Sequence, residues 1–337
     1  MISRFAVAGL ALAFGLAAQA ASTGDNTHNQ PNQAAKSAYV AIPDNKDHDL
    51  KLYLGDGQIV SGAAALGRMQ REAGLVLWLA GNQFFAMDDV IHSFQKQHRG
   101  VAVGLVTLPP GLILKAILAG GWRYGGNSYP GLPDIYASVS LGHLQTLKQS
   151  GLMDSYAVYM HNELQLITAR GNPKGIRTIA DLARPDVRTS LPNPVNEGIM
   201  QFYLRKVLER DKLWDGIAAG KECAACQTTP NNWFTAVHHR ETPERIRAGL
   251  SDVGVVWKTE VQEALKGGAA IEGVVLPPQD SLRDEVSYAI GVISSSPHRD
   301  AAAAYLAYLA TPVGQDAYTR YGFVGATAEE LKPKPIP

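Results

Sequence analysis

From Leu75 onward, short apolar runs alternate with segments of helical periodicity, and this rhythm limits the chain to few architectures. Leu75-Val-Leu-Trp-Leu-Ala80 is continuously apolar and is followed by Gly81-Asn82-Gln83; Phe85, Val90, Ile91 and Phe94 then fall at helical spacing. Val101 to Leu108 reads as a second strand that stops at Pro109-Pro110-Gly111, and Leu112 to Ala119 reads as a helix closed by Gly120-Gly121. Further strands are read over Asp134–Ser138, Leu164–Ala169, Val187–Leu191, Val253–Trp257 and Ser287–Ser294, with a short helix from Ile179. Another helix runs from Ile199 through Leu208, and a closing pair spans Ala301–Tyr318 with a break at Thr311-Pro312. Strands buried on both faces and separated by helices predict an α/β fold built on mostly parallel sheets. A chain of 337 residues is expected to divide into two lobes rather than enlarge one core.

The first twenty residues carry a different message. Arg4 precedes an apolar run from Phe5 to Ala18, and Ala18-Gln19-Ala20 has the small-x-small form of a cleavage site. This is the layout of a secretory signal peptide, and the run is shorter than the ~20 residues a membrane span needs. No cysteine stands near the cleavage point for lipid attachment. Residues 21–74 read as a polar leader followed by an N-terminal extension packed on the main body, in which Leu50–Leu54 alternates like a strand. Export also governs the two cysteines, Cys223 and Cys226 in Cys-Ala-Ala-Cys, for which a local disulfide is expected. A redox role would place the motif at a helix start, whereas here Gln227-Thr-Thr-Pro follows it.

Thirty-one basic and 31 acidic side chains leave a formal net charge of zero, which argues against a nucleic-acid partner and gives no support to a polybasic membrane surface. The informative residues lie where strands turn into helices. Asn82 and Gln83 follow the first strand, Pro110 and Gly111 the second, and Asn193, Asn196 and Gly198 precede the helix from Ile199. His238 and His239 precede Glu241-Thr242-Pro243, where Thr242 is suited to cap a short helix and Pro243 to open it. Helix N-termini attract anions through unpaired N–H groups without formal charge, so these junctions suit a cleft for a small oxyanion or carboxylate. They equally suit plain helix capping. One histidine of the pair is favoured as a hydrogen-bond donor facing the cleft. His238, His239 and Glu241 form the alternative, a metal site, although adjacent residues of an extended chain face opposite ways. No Gly-x-Ser-x-Gly elbow, phosphate-loop lysine motif, His-Glu-x-x-His or dinucleotide fingerprint occurs, so no enzymatic activity and no cofactor are expected.

Between about Leu75 and Phe323 the chain resembles the periplasmic solute-binding proteins of type II fold, nearest the molybdate- and tungstate-binding group of ABC importers. The resemblance rests on Leu79-Ala-Gly-Asn-Gln83, Leu132-Pro-Asp-Ile-Tyr-Ala-Ser138 and Ala169-Arg-Gly-Asn-Pro-Lys-Gly175 with Ile179-Ala-Asp-Leu-Ala183. It continues through Gly249-Leu-Ser-Asp-Val-Gly-Val-Val-Trp257 and Thr311-Pro-Val-Gly-Gln315 to Tyr321-Gly-Phe323. It implies two lobes closing on a ligand, periplasmic residence of a monomer, and delivery of a small anion to an ABC permease in the inner membrane. The resemblance places lobe one at 75–158 plus 297–326 and lobe two at 159–296, with crossovers near Val158–Asn162 and Leu276–Asp280. It carries ligand contacts to Asn82, Pro110, Gly111, the Asn193–Gly198 turn, His239 and Trp257. Asn82 and Trp257 stand where the molybdate binders have hydroxyl-bearing Ser and Tyr, which puts molybdate itself in doubt. A periplasmic enzyme or redox partner using the His pair or the cysteines is the reading from another class.

Overall fold

The computed structural model describes residues 39–337 except 238 and 284, so the expected signal peptide and most of the leader lie outside the described residues. Two mixed sheets organise the chain. In the larger, the parallel strands Ile135–Ser138, Leu75–Ala80 and Val103–Leu108 sit side by side at the centre. Antiparallel strands flank them: Ser287–Val292 and Ser155–His161 on one side, Leu50–Tyr53 and Ile59–Ser61 on the other. The smaller sheet repeats the plan. Its parallel centre is Asn232–Phe234, Thr189–Leu191 and Val253–Trp257, with Cys226–Thr229, Leu164–Ala169 and Ile271–Val274 antiparallel at its edges. The parallel character expected from the sequence is thus confined to the centres, where strands are buried on both faces; Leu75–Ala80 and Val103–Leu108 are buried throughout.

Three sequence expectations need correction. The lobe boundaries expected from the sequence put the strand Ser287–Val292 in lobe two, yet it lies in the larger sheet between Ile135–Ser138 and Ser155–His161. A buried apolar run carries no record of its partners, and here the chain crosses back before Ser287. The extension does more than pack on the body: Leu50–Tyr53 pairs with Val103–Leu108, and the helix Gly62–Glu72 buries Ala65, Leu66 and Met69 behind it. The helix after His239 also begins two residues earlier than expected, at Glu241 rather than Pro243, so Thr242 does not cap it; its hydroxyl instead meets Ser190 Oγ at 3.1 Å.

Helix ends follow local chemistry. Pro110 opens the helix Pro110–Ala119, where its missing N–H costs nothing, and Gly120 closes it at φ 79°. Thr311 caps Pro312–Thr319 by accepting from the Gly314 N–H. The expected bridge Cys223–Cys226 is formed, at the start of the Cys226–Thr229 edge strand.

Candidate ligand-binding site

All the central parallel strands of both sheets end at one cavity. Ala80, Gly81 and Asn82 follow the first strand of the larger sheet, Pro109 and Pro110 the second, and Val139 the third. Glu197, Gly198 and Ile199 follow Thr189–Leu191, His239 follows Asn232–Phe234, and Trp257 ends Val253–Trp257. Carboxyl ends of parallel strands are where open α/β sheets bind ligands, and here two such ends face one another. The helices Pro110–Ala119 and Lys258–Lys266 begin at the cavity wall, which brings their positive ends to it. The cavity measures about 30 Å³, the scale of a small ion or a pair of waters rather than of a sugar or peptide.

Asn82, Pro110, Gly198, His239 and Trp257 are therefore brought together as the sequence suggested. Gln83, Gly111, Asn193 and Asn196 are not among the lining residues. Gln83 is turned into the core, where its Oε1 accepts from the Tyr159 and Tyr318 hydroxyls at 3.0 and 3.1 Å. Gly111 sits against the His143 ring. Asn193 builds the turn: its Oδ1 accepts from the Val195 and Asn196 N–H groups, both at 3.1 Å. The Asn82 amide donates to the Tyr288 hydroxyl, which also accepts from Asn162 Nδ2 at 3.2 Å, and Asn162 reaches Thr259 Oγ1 at 3.0 Å. This buried chain of polar groups runs from Asn82 at the cavity, through Tyr288 and Asn162, to the first turn of Lys258–Lys266.

Two carboxylates that sequence reasoning passed over set the electrostatics. Glu197 Oε2 lies 2.6 Å from His239 Nδ1, and Glu260 Oε2 lies 2.8 Å from His239 Nε2, with all three side chains buried. Burial by itself would lower the His239 pKa, but the two flanking carboxylates outweigh it and push it up to about 9. An imidazolium has no lone pair, so His239 in this state cannot ligate a metal, and neither ring nitrogen is directed at a ligand. Glu197 is in turn saturated: Oε1 accepts from the Asn193 N–H, the Asn193 amide and Thr235, and Oε2 also accepts from the His239 N–H at 2.5 Å. Glu241, the other metal candidate, accepts from the Ala236 N–H at 2.5 Å, and His238 lies outside the described residues. Among the described residues no group of three or more His, Cys, Asp or Glu is arranged for a metal.

A cavity walled by the strand ends of two mixed sheets defines a two-lobed fold of the periplasmic-binding-protein kind. The chain belongs to the bacterial extracellular solute-binding protein family, whose model matches residues 75–324. Among curated relatives it is similar to a sulfate-binding protein of Synechococcus elongatus, 22% identical over 60% of each chain. It is also similar to a thiosulfate-binding protein of Escherichia coli, 28% identical over 48% of this chain and 49% of that one. The chain thus spans about half to three-fifths of the length of these relatives. Its fold is similar to that of the Azotobacter vinelandii periplasmic molybdate-binding protein, with TM-score 0.58 at 16% identity over 75% of this chain and all of that one. A sulfate-binding protein from Mycobacterium tuberculosis is similar at TM-score 0.57 and 19% identity, over 76% of this chain and 88% of that one. Among the described residues no helix is long and apolar enough to cross a membrane.

Proposed function

We propose that this chain is an exported receptor that captures a small oxyanion between its lobes and delivers it to an ABC permease. The observation that carries the reading is the convergence of six strand ends and two helix N-termini on a cavity of about 30 Å³. Helix dipoles and backbone donors suit an anion there, while the cation in the wall, the His239 imidazolium, is held by Glu197 and Glu260. The names of the relatives, sulfate-, thiosulfate- and molybdate-binding, support the same ligand class. The small cavity favours an inorganic oxyanion over a larger organic anion. In this reading lobe two occupies residues 163–285, lobe one the remainder, and the first twenty residues are removed on export to the periplasm. The receptor acts as a monomer without catalysis. Thermal melts against sulfate, thiosulfate, molybdate, phosphate and acetate test it. A midpoint rise with at least one oxyanion is expected, since binding to the folded state stabilises by RT ln(1 + [L]/Kd). A response to divalent cations alone would overturn it.

A further inference from the structure

Residues ahead of the family-matched part reach the cavity wall through one buried carboxylate. Asp49 ends the turn Asp47–Asp49, just before the strand Leu50–Tyr53 that joins the larger sheet. It is 1% exposed. Its Oδ1 accepts from Thr107 Oγ1 at 3.2 Å and from the Arg240 guanidinium at 3.1 Å; Oδ2 lies 3.3 Å from His48 Nε2 and 3.8 Å from Lys46 Nζ.

Arg240 arrives from the other body. It follows His239 and leads into Glu241–Arg247, a helix packed on the smaller sheet. A second guanidinium nitrogen donates to the Gly81 carbonyl, and the guanidinium carbon lies 3.7 Å from the Phe84 ring centroid. One side chain from the smaller-sheet body therefore grips Asp49, Gly81 and Phe84 of the larger. Gly81 is small for this reason: a Cβ there would stand 3.1 Å from the Thr107 carbonyl oxygen and 3.2 Å from Arg240. Arg240 also lines an outer cleft of about 400 Å³ between residues 43–48 and 236–241, so it stands between that cleft and the cavity wall it holds.

The planar fork of arginine suits this double engagement, which a lysine ammonium cannot reproduce. Separating the bodies would leave a buried carboxylate without its arginine, so the contact opposes opening. We propose that Asp49 and Arg240 form a latch between the lobes, supplied on one side by a segment outside the family-matched residues, that prolongs ligand residence. They are positioning residues, since neither side chain lines the cavity. The effect on residence rests on the proposed anion capture; the latch itself does not.

Asp49→Asn, Arg240→Gln and their double variant test it by stopped-flow release of sulfate and molybdate, with small-angle scattering of anion-free protein. The latch requires release about tenfold faster in each single variant, association within about twofold of wild type, and a double variant little worse than the singles. Arg240→Lys, which keeps the charge, should fall between wild type and Arg240→Gln. Equal release rates in wild type and in variants that melt normally would overturn the proposal. If neither anion binds, the capture reading fails while scattering still decides the latch. A larger radius of gyration in the variants than in wild type supports it, and equal radii overturn it.

Discussion

His239 shows how a buried charge is held beside a ligand cavity. Its ring is clamped at both nitrogens by Glu197 and Glu260, and its pKa of about 9 stands above the ~6.5 of an unfolded histidine. The folded state therefore holds a proton that the unfolded state releases first as pH rises. The clamp's contribution is complete below about pH 6.5, declines through the window up to about 9 and is lost above it, amounting to roughly 3 kcal/mol. Thermal melts from pH 6 to 10 should show this decline in the wild type and a flatter profile in His239→Gln. Glu197 supports the loop itself. Glu197→Gln removes the charge that gathers donors from Asn193, Thr235 and His239, and an expected loss of about 3 kcal/mol in denaturant unfolding accompanies weaker anion binding. Neither carboxylate was legible in the sequence. Glu260 lies on a different element from His239, and nothing in its spacing signals that pairing. Glu197 stood inside the Asn193–Gly198 turn, yet reading the turn as a set of backbone donors left the acid without a role.

At the scale of elements, the strand-to-helix junctions were the readable part. Apolar runs marked the strands and Pro-Pro-Gly marked a helix start, so Asn82, Pro110, Gly198, His239 and Trp257 could be gathered before any coordinates. Side-chain direction within a turn was not readable: Asn82 borders the cavity, while Gln83 beside it turns to Tyr159 and Tyr318. Sheet membership of Ser287–Val292 was equally hidden, because periodicity contains burial but not pairing. That strand carries Tyr288, which joins Asn82 to Asn162 and the Lys258–Lys266 helix. Tyr288→Phe leaves two buried amides without their acceptor, so a loss of about 1–3 kcal/mol is expected in denaturant unfolding. Calorimetry should show anion affinity about fivefold weaker, because Asn82 is no longer held. The Cys223–Cys226 bridge closes only a short loop at a sheet edge away from the cavity. Cys223→Ser with Cys226→Ser should cost at most about 2 kcal/mol and leave anion affinity unchanged, as melts and calorimetry can check.

For the whole molecule, a net charge of zero is consistent with a receptor whose binding field is local. Two parallel-centred sheets aim their strand ends at one small space, and Arg240, which follows the cavity-lining His239, is engaged by Asp49 and Gly81. The proposed anion capture rests on helix ends and backbone donors in that arrangement. The most direct test is anomalous diffraction from crystals grown with tungstate or selenate, whose heavy atoms mark an oxyanion's position. The expected result is one strong peak in the cavity bordered by Asn82, Gly198 and Trp257. Crystals of well-folded protein with no peak there, or with peaks only at surface lysines and arginines, would contradict oxyanion capture between the lobes.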